Sequence, residues 1–278
     1  MASNAAEPIC LFLAGDVMTG RGIDQVLPHP SHPALHESHM RDARDYVLLA
    51  ENTNGPIPRP VSFPYIWGDA LAEWQETPPA ARIINLETSI TRSDAYWPGK
   101  GIHYRMHPTN VACLTAAGID CCGLANNHIL DWGYDGLAET LRTLDASRVA
   151  HAGAGATAAQ AAAPAVLPLP GNRRVLVFSF GSITSGIPWQ WRAGEDRPGV
   201  NPLSDLSEDT AIAVAAEMAR HKQPGDIAIA SIHWGGNWGH DIPDQQVAFA
   251  RRLVSDGVDI IHGHSSHHAK AMEVHRDR

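Results

Sequence analysis

The chain has 278 residues, 44% of them hydrophobic, enough to bury a full core in one large domain. A formal net charge of −9 argues against nucleic acid or an anionic membrane as the main partner, because both reward clustered Lys and Arg. A small or peptidic ligand remains.

The opening segment, MASNAAEPICLFLAGD, has no basic leader. No apolar run here or later approaches the ~20 residues of a bilayer span, so the expectation is a cytoplasmic chain with no membrane anchor. From there, short apolar runs alternate with helix-like segments, the pattern of an α/β fold. A first strand is predicted over 9–14, ending in Gly15-Asp16. Residues 28–62 carry prolines in PHPSHPALHESH and NGPIPRPVSFP that exclude a regular strand and most helix, and they read as an excursion over the surface. His29, His32, His36 and His39 would share one face of a helix, but Pro28, Pro30 and Pro33 interrupt it. They read as a surface loop near the substrate entrance.

A helix over 65–76 leads to a strand over 82–86, followed at once by Glu87. In the loop beyond, Arg92, Lys100, His103 and Arg105 offer cations for an anionic substrate group, with plain solvated surface as the alternative for each. A helix over 109–117 precedes a strand over 119–125, whose exit, GLANNHILDWG, places Asn126, Asn127 and His128 where an ordinary turn would carry Gly, Pro or Ser. A helix over 134–147 follows. His151 to Ala158 matches a dinucleotide fingerprint with alanine in the last place, but the acidic residue expected about 20 positions on is missing. The alanine-rich AGAGATAAQAAAPA reads as a small-residue turn and helix.

Next come a strand over 174–180 and a long loop over 182–205 that holds Trp189 and Trp191 and has the character of a lid. A helix over 207–221 and a strand over 226–232 lead to His233 and HWGGNWG, in which Trp234 and Trp238 wall a pocket or simply pack. A helix over 244–256, bracketed by Pro243-Asp244 and Gly257, leads to a strand over 258–261 that ends in His262-Gly263-His264. One more strand-like run, 271–274, has no helix behind it, so the single domain, 1–278, reads as short of its C-terminus. Cys10, Cys113, Cys121 and Cys122 show neither zinc-finger spacing nor a dense disulfide pattern and are expected as reduced core residues. No Gly-x-Ser-x-Gly elbow surrounds Ser182, Ser185 or Ser265, which argues against a serine hydrolase.

Five strand ends therefore deliver a metal-capable side chain: Asp16, Glu87, Asn127 with His128, His233, and His264 after His262. In an open α/β sheet, ligands lie beyond the carboxyl ends of the strands, so these residues can converge although the sequence spreads them widely. Taken singly, Asp16 could be a turn or cap, Glu87 a solvated acid and His233 a satisfied core histidine. As a set they combine oxygen and nitrogen donors with no thiolate, which suits one or two divalent ions of Mn, Fe, Zn or Co better than calcium or a structural zinc. Asn127 would complete a shell without adding charge, and His128 would act beside the metal as general acid or base.

With these residues in place, the sequence resembles the CapA-type proteins of capsule and poly-γ-glutamate biosynthesis, whose domain is related to the calcineurin-like metallophosphoesterases. The resemblance rests on GDVM (15–18), NLE (85–87), NNHILDWG (126–133), HAGAG (151–155), HWG (233–235) and GHSSH (263–267), which in order span nearly the whole chain. It implies a four-layer α/β/β/α sandwich with metal ligands Asp16, Glu87, Asn127, His233 and His264, with His128 as acid or base, and with His267 on metal or substrate. It also implies a peptide or polyglutamate-like substrate, handled by hydrolysis or transfer. Relatives of this type have been implicated in epimerising a residue of lasso peptides, which makes a peptide epimerase the second reading and a non-catalytic binding module the third. Arg92, Lys100, Arg105 and Trp234 are the expected substrate contacts. Met18 stands where phosphoesterases of this fold carry a ligating His, and GHSSH replaces the more usual Gly-His-His-Pro-His. Family members normally continue past this C-terminus.

Overall fold

The computed structural model describes residues 8–278; the leaderless reading of residues 1–7 lies outside them. The first half of the chain supplies β1 (Leu11–Val17), α1 (Arg21–Val26), α2 (Arg44–Asn54), α3 (Ala70–Glu76), β2 (Ala81–Leu86), β3 (Ser89–Ile90), β4 (Arg105–Met106), α4 (Ala112–Ala116), β5 (Cys121–Gly123), α5 (Gly133–Ala146) and β6 (Ala150–Ala152). The second half supplies β7 (Ala154–Gly155), α6 (Ala158–Ala162), β8 (Ala165–Leu169), β9 (Arg173–Gly181), β10 (Gly199–Val200), α7 (Glu208–His221), β11 (Ile227–His233), α8 (Asp244–Ser255) and β12 (Ile260–His264).

The fold is mixed α/β with two main sheets. One is fully parallel, in the order β1-β2-β5-β6; the other has the order β12-β11-β9-β8, with β8 antiparallel to β9 and the rest parallel. Successive side chains of a strand point to opposite faces, and the packing follows that alternation. On one face, Ile83 and Cys121 of the first sheet share a buried cluster with Val175, Val177 and Ile229 of the second. On the other face of the first sheet, Ile84, Leu86 and Cys122 pack with Leu114 of α4 and with Leu137 and Leu144 of α5. Leu176, Phe178, Ala228 and Ile232 of the second sheet pack with Met218 of α7 and with Phe249 and Leu253 of α8. Each of the larger of these side chains contributes roughly 1.5–3 kcal/mol by leaving water.

Parallel strands buried on both faces read as continuous apolar runs, which is why RIINL and IAIASI are visible in the sequence. Helix α7 starts where Ser207 Oγ accepts from the Thr210 amide, with Glu208 and Asp209 in its first turn and Arg220 and His221 in its last. No helix among the described residues is long and apolar enough to cross a membrane.

The structure departs from several expectations. The helix expected over 65–76 is broken at Gly68 (φ 51°), leaving a 3-10 turn at Phe63–Trp67 before α3. Pro108 opens a 3-10 turn, Pro108–Val111, so the helix expected from 109 begins at Ala112. Only Cys121–Gly123 of 119–125 pairs as strand. The 28–62 excursion contains α2, because residues 44–54 hold no proline and consist mostly of tolerant helix formers. Strand β8 was not anticipated among its prolines; Pro168 is tolerated because β8 is an edge strand. The 182–205 loop is anchored by Trp191, whose ring is fully buried 5.3 Å from that of Trp97, so it is not a free lid. Residues 271–274 form no strand. All four cysteines are free thiols, but Cys10 is exposed rather than in the core: it precedes β1, beyond the sheet's covered face.

Candidate metal centre

Strands β1, β11 and β12 bring their carboxyl ends together. A register shift in the β1–β2 ladder between Ala14 and Asp16 reorients the carboxylate, and Gly15 permits close approach, since a Cβ there would lie 3.3 Å from His264 Cβ. Asp16 Oδ1 lies 3.5 Å from His233 Nδ1 and 3.5 Å from His264 Nδ1, and the two nitrogens are 3.0 Å apart. The shortest edge falls within, and the two longer ones lie just above, the roughly 3.0–3.4 Å between donors that share a cation at bonds of about 2.1 Å. A second group, Asp16, Glu87 and His267, also offers donor atoms within 4.8 Å of one another. Asp16 belongs to both, and His233 turns its Nε2 toward Glu87 Oε1 at 3.9 Å.

In the cluster the buried His233 Nε2 lacks a hydrogen-bond partner, as does Asn127 Oδ1 in the loop after β5. Unpaired polar atoms in an interior are costly, and donors of this kind are what a cation would satisfy. The residues present therefore could hold a divalent ion. Burial opposes the Asp16 charge, but the His233 and His264 rings beside it outweigh that and hold the carboxyl well below the usual range. Glu87 is pushed up to about 9 by burial and by the charges of Asp16 and Asp131. A cation alongside would reverse that balance.

His128 sits behind this cluster. Its Nδ1 is 2.6 Å from Asp131 Oδ2, its Nε2 is 3.7 Å from Glu87 Oε1, and the Tyr104 ring stacks on it at 3.9 Å. Burial holds the imidazole down at about 4 despite the pull of Asp131, which favours the neutral ring. Asp131 is buried too, but His128 and Lys100 keep its carboxyl below the ordinary range.

The other expected residues fare differently. Lys100 reaches the site, pairing with Asp131 Oδ1 at 2.6 Å and donating to the Asn127 carbonyl, so its charge is already engaged. Arg92 pairs with Glu139 at 3.1 Å, and Arg105 with Asp94 at 2.7 Å while stacking on Trp132. No contact ties either guanidinium to the cluster. His103 is buried against the Trp97 carbonyl. Trp234 packs on Phe249 at 6.0 Å, whereas the exposed Trp238 meets His267 edge-on at 5.5 Å. His36 stacks on Tyr96, and His39 approaches Glu37. Met18 turns away to line an apolar cavity of about 900 Å³ with Arg21, Tyr46 and Trp67.

Sequence reasoning missed the residues that hold the donors in place. Asn85 Nδ2 donates to Asp16 Oδ1 at 2.7 Å, and its own carbonyl accepts from Asn126 Nδ2 at 3.1 Å. Asn126 Oδ1 then accepts from the His128 amide at 3.0 Å, so one amide chain links Asp16 to His128. Asp131 and Asn85 were present in the quoted motifs; Asn85's partner Asp16 could be seen only once β1 and β2 were adjacent, whereas Asp131 meets His128 three residues away in its own loop.

The sequence pattern of the family described as "Bacterial capsule synthesis protein PGA_cap" matches residues 10–278. A "probable polyglutamine synthesis accessory protein" of Mycobacterium tuberculosis is 47% identical over 279 residues, covering 100% of this chain and 73% of its own length. The "PGA biosynthesis protein CapA" of Bacillus subtilis is 26% identical over 192 residues, 69% of this chain and 48% of its own length. The "capsule biosynthesis protein CapA" of Bacillus anthracis is 23% identical over 275 residues, 97% of this chain and 57% of its own length.

Proposed function

Since the chain belongs to the bacterial capsule synthesis protein PGA_cap family, we propose that it serves polyglutamate-type polymer synthesis as a metal-dependent enzyme acting on a peptide or polyglutamate-like substrate by hydrolysis or transfer. The observation that carries this reading is the triangle of Asp16, His233 and His264 donors beside the buried His128–Asp131 pair. The reading includes the four-layer α/β/β/α sandwich of the metallophosphoesterases, supported by one apolar cluster shared by the two sheets and one beneath the helices on each outer face. It includes a cytoplasmic setting, supported by three buried free thiols.

In this proposal Asp16, His233 and His264 hold one ion of Mn, Fe, Zn or Co, and Glu87, Asn127 and His267 with Asp16 provide for a second. The ion supplies Lewis-acid polarisation of a substrate carbonyl. His128 Nε2 removes or returns a proton, while Asp131 holds Nδ1–H, fixes the ring and stabilises it when charged. Lys100 offsets the Asp131 charge and so keeps the pair from becoming too basic. Arg92 and Arg105 could meet an anionic substrate group only by sharing or exchanging their present partners Glu139 and Asp94.

The test is incubation of the metal-loaded chain with γ-glutamyl peptides in D₂O. Fragments or new amide linkages support the reading. Deuterium uptake at Cα without cleavage replaces it with epimerisation, and neither change leaves a binding module.

A further inference from the structure

Ser231 is fully buried at a position of β11 whose neighbours two residues away are Ile229, in the apolar layer between the sheets, and the candidate ligand His233. A hydroxyl in such a layer is costly unless both its donor and its acceptor capacities are used. Here they are: Ser231 Oγ lies 2.9 Å from His264 Nε2 and 3.1 Å from His262 Nδ1. The β11–β12 register sets this up, pairing Ser231 with His262 and His233 with His264.

One hydroxyl hydrogen between two imidazole nitrogens allows two fully paired arrangements for neutral rings. In the first, His264 Nε2–H donates to Oγ and the hydroxyl donates to His262 Nδ1, which leaves His264 Nδ1 with a lone pair facing Asp16 and His233. In the second, the chain runs backwards, His264 carries its hydrogen on Nδ1, and that lone pair is gone. Were both rings to donate to Oγ, the hydroxyl hydrogen would have no recorded acceptor in a buried site. We propose that Ser231 and His262 act as positioning residues that hold His264 in the first tautomer, so that His264 Nδ1 is a ready-made metal ligand. His262 is half-buried, so its Nε2–H is left to water while its Nδ1 accepts. The inference rests on the metal-centre reading above and assigns to it two residues that contact no ion themselves. Outer partners of this kind orient ligating histidines and fix which nitrogen is free.

The experiment measures Zn²⁺ affinity of the full chain by competition with a chromophoric chelator, together with the visible absorption of the Co²⁺-loaded protein. Ser231→Ala is expected to weaken Zn²⁺ binding about 10–100-fold and to shift the Co²⁺ bands. His262→Leu, which removes the acceptor of the serine hydrogen, should do the same, and His262→Asn, which can place an amide oxygen where Nδ1 stands, should restore most of both. Wild-type affinity and an unchanged Co²⁺ spectrum in Ser231→Ala or His262→Leu overturn the positioning role while leaving the metal centre intact. No Zn²⁺ or Co²⁺ binding by the unaltered chain overturns both. A lower metal-free thermal midpoint with unchanged affinity also overturns it, since that marks a packing role.

Discussion

The His128 ring is held at Nδ1 by Asp131 and across its face by Tyr104, with its backbone amide fixed by Asn126. His128→Ala should therefore abolish turnover yet retain metal, whereas His233→Ala or Asp16→Ala, which delete donors of the triangle, should lose the metal. Metal analysis of the three purified variants separates these roles; equal loss in all three would contradict them. Asp24 shows the same logic away from the site. Its buried carboxylate accepts from the amides of Ser31 (2.6 Å) and His107 (2.9 Å) and from Asn110 Nδ2 (2.8 Å), tying the proline-rich excursion to the start of the 3-10 turn. Asp24→Ala should cost about 1–3 kcal/mol in denaturant unfolding because three donors, one fully buried and two partly buried, lose their acceptor at once. A midpoint within experimental error of the unaltered chain would show that water replaces the carboxylate there.

Among the elements, Gly153 between β6 and β7 has φ 93°, and a Cβ there would lie 2.5 Å from Ser179 Oγ. Gly153→Ala should destabilise by about 1–3 kcal/mol through backbone strain and overpacking combined. Phe178, in the centre of β9 and 1% exposed, should cost about 3–5 kcal/mol when cut to Ala. Chemical denaturation reads both, and the ranking fails if Gly153→Ala proves neutral. The long strands β2, β9 and β11 were legible because burial on both faces demands unbroken apolar sequence. So were the residues that follow them, since a carboxylate, an amide or an imidazole is conspicuous at the end of such a run. The three-residue β6 was not, because so short a pairing is decided by its neighbours rather than by its own propensity. Helix α2 was hidden by flanking prolines whose effect does not extend to residues 44–54. The supporting contacts of Asn85 and Ser231 were invisible for a different reason: each depends on a partner brought near by sheet order alone.

For the molecule as a whole, an ion that binds only the folded chain stabilises it by mass action. At a hundredfold excess over Kd this is about 2.7 kcal/mol, a rise of several degrees in Tm, which a chelator should reverse and Asp16→Ala should abolish. Calorimetry with and without Zn²⁺ checks this, and an unmoved transition in the unaltered chain counts against a native cation. The donors divide between the two sheets: Asp16 ends a strand of one, while His233 and His264 end strands of the other. Their mutual spacing is therefore set by how far apart the apolar layer of Ile83, Cys121, Val177 and Ile229 keeps those sheets. Thinning that layer, as in Ile229→Ala, should draw the proposed donors closer and alter the ratio of Zn²⁺ to Mn²⁺ affinity with every donor left in place, which would make the hydrocarbon between the sheets a caliper for the ion.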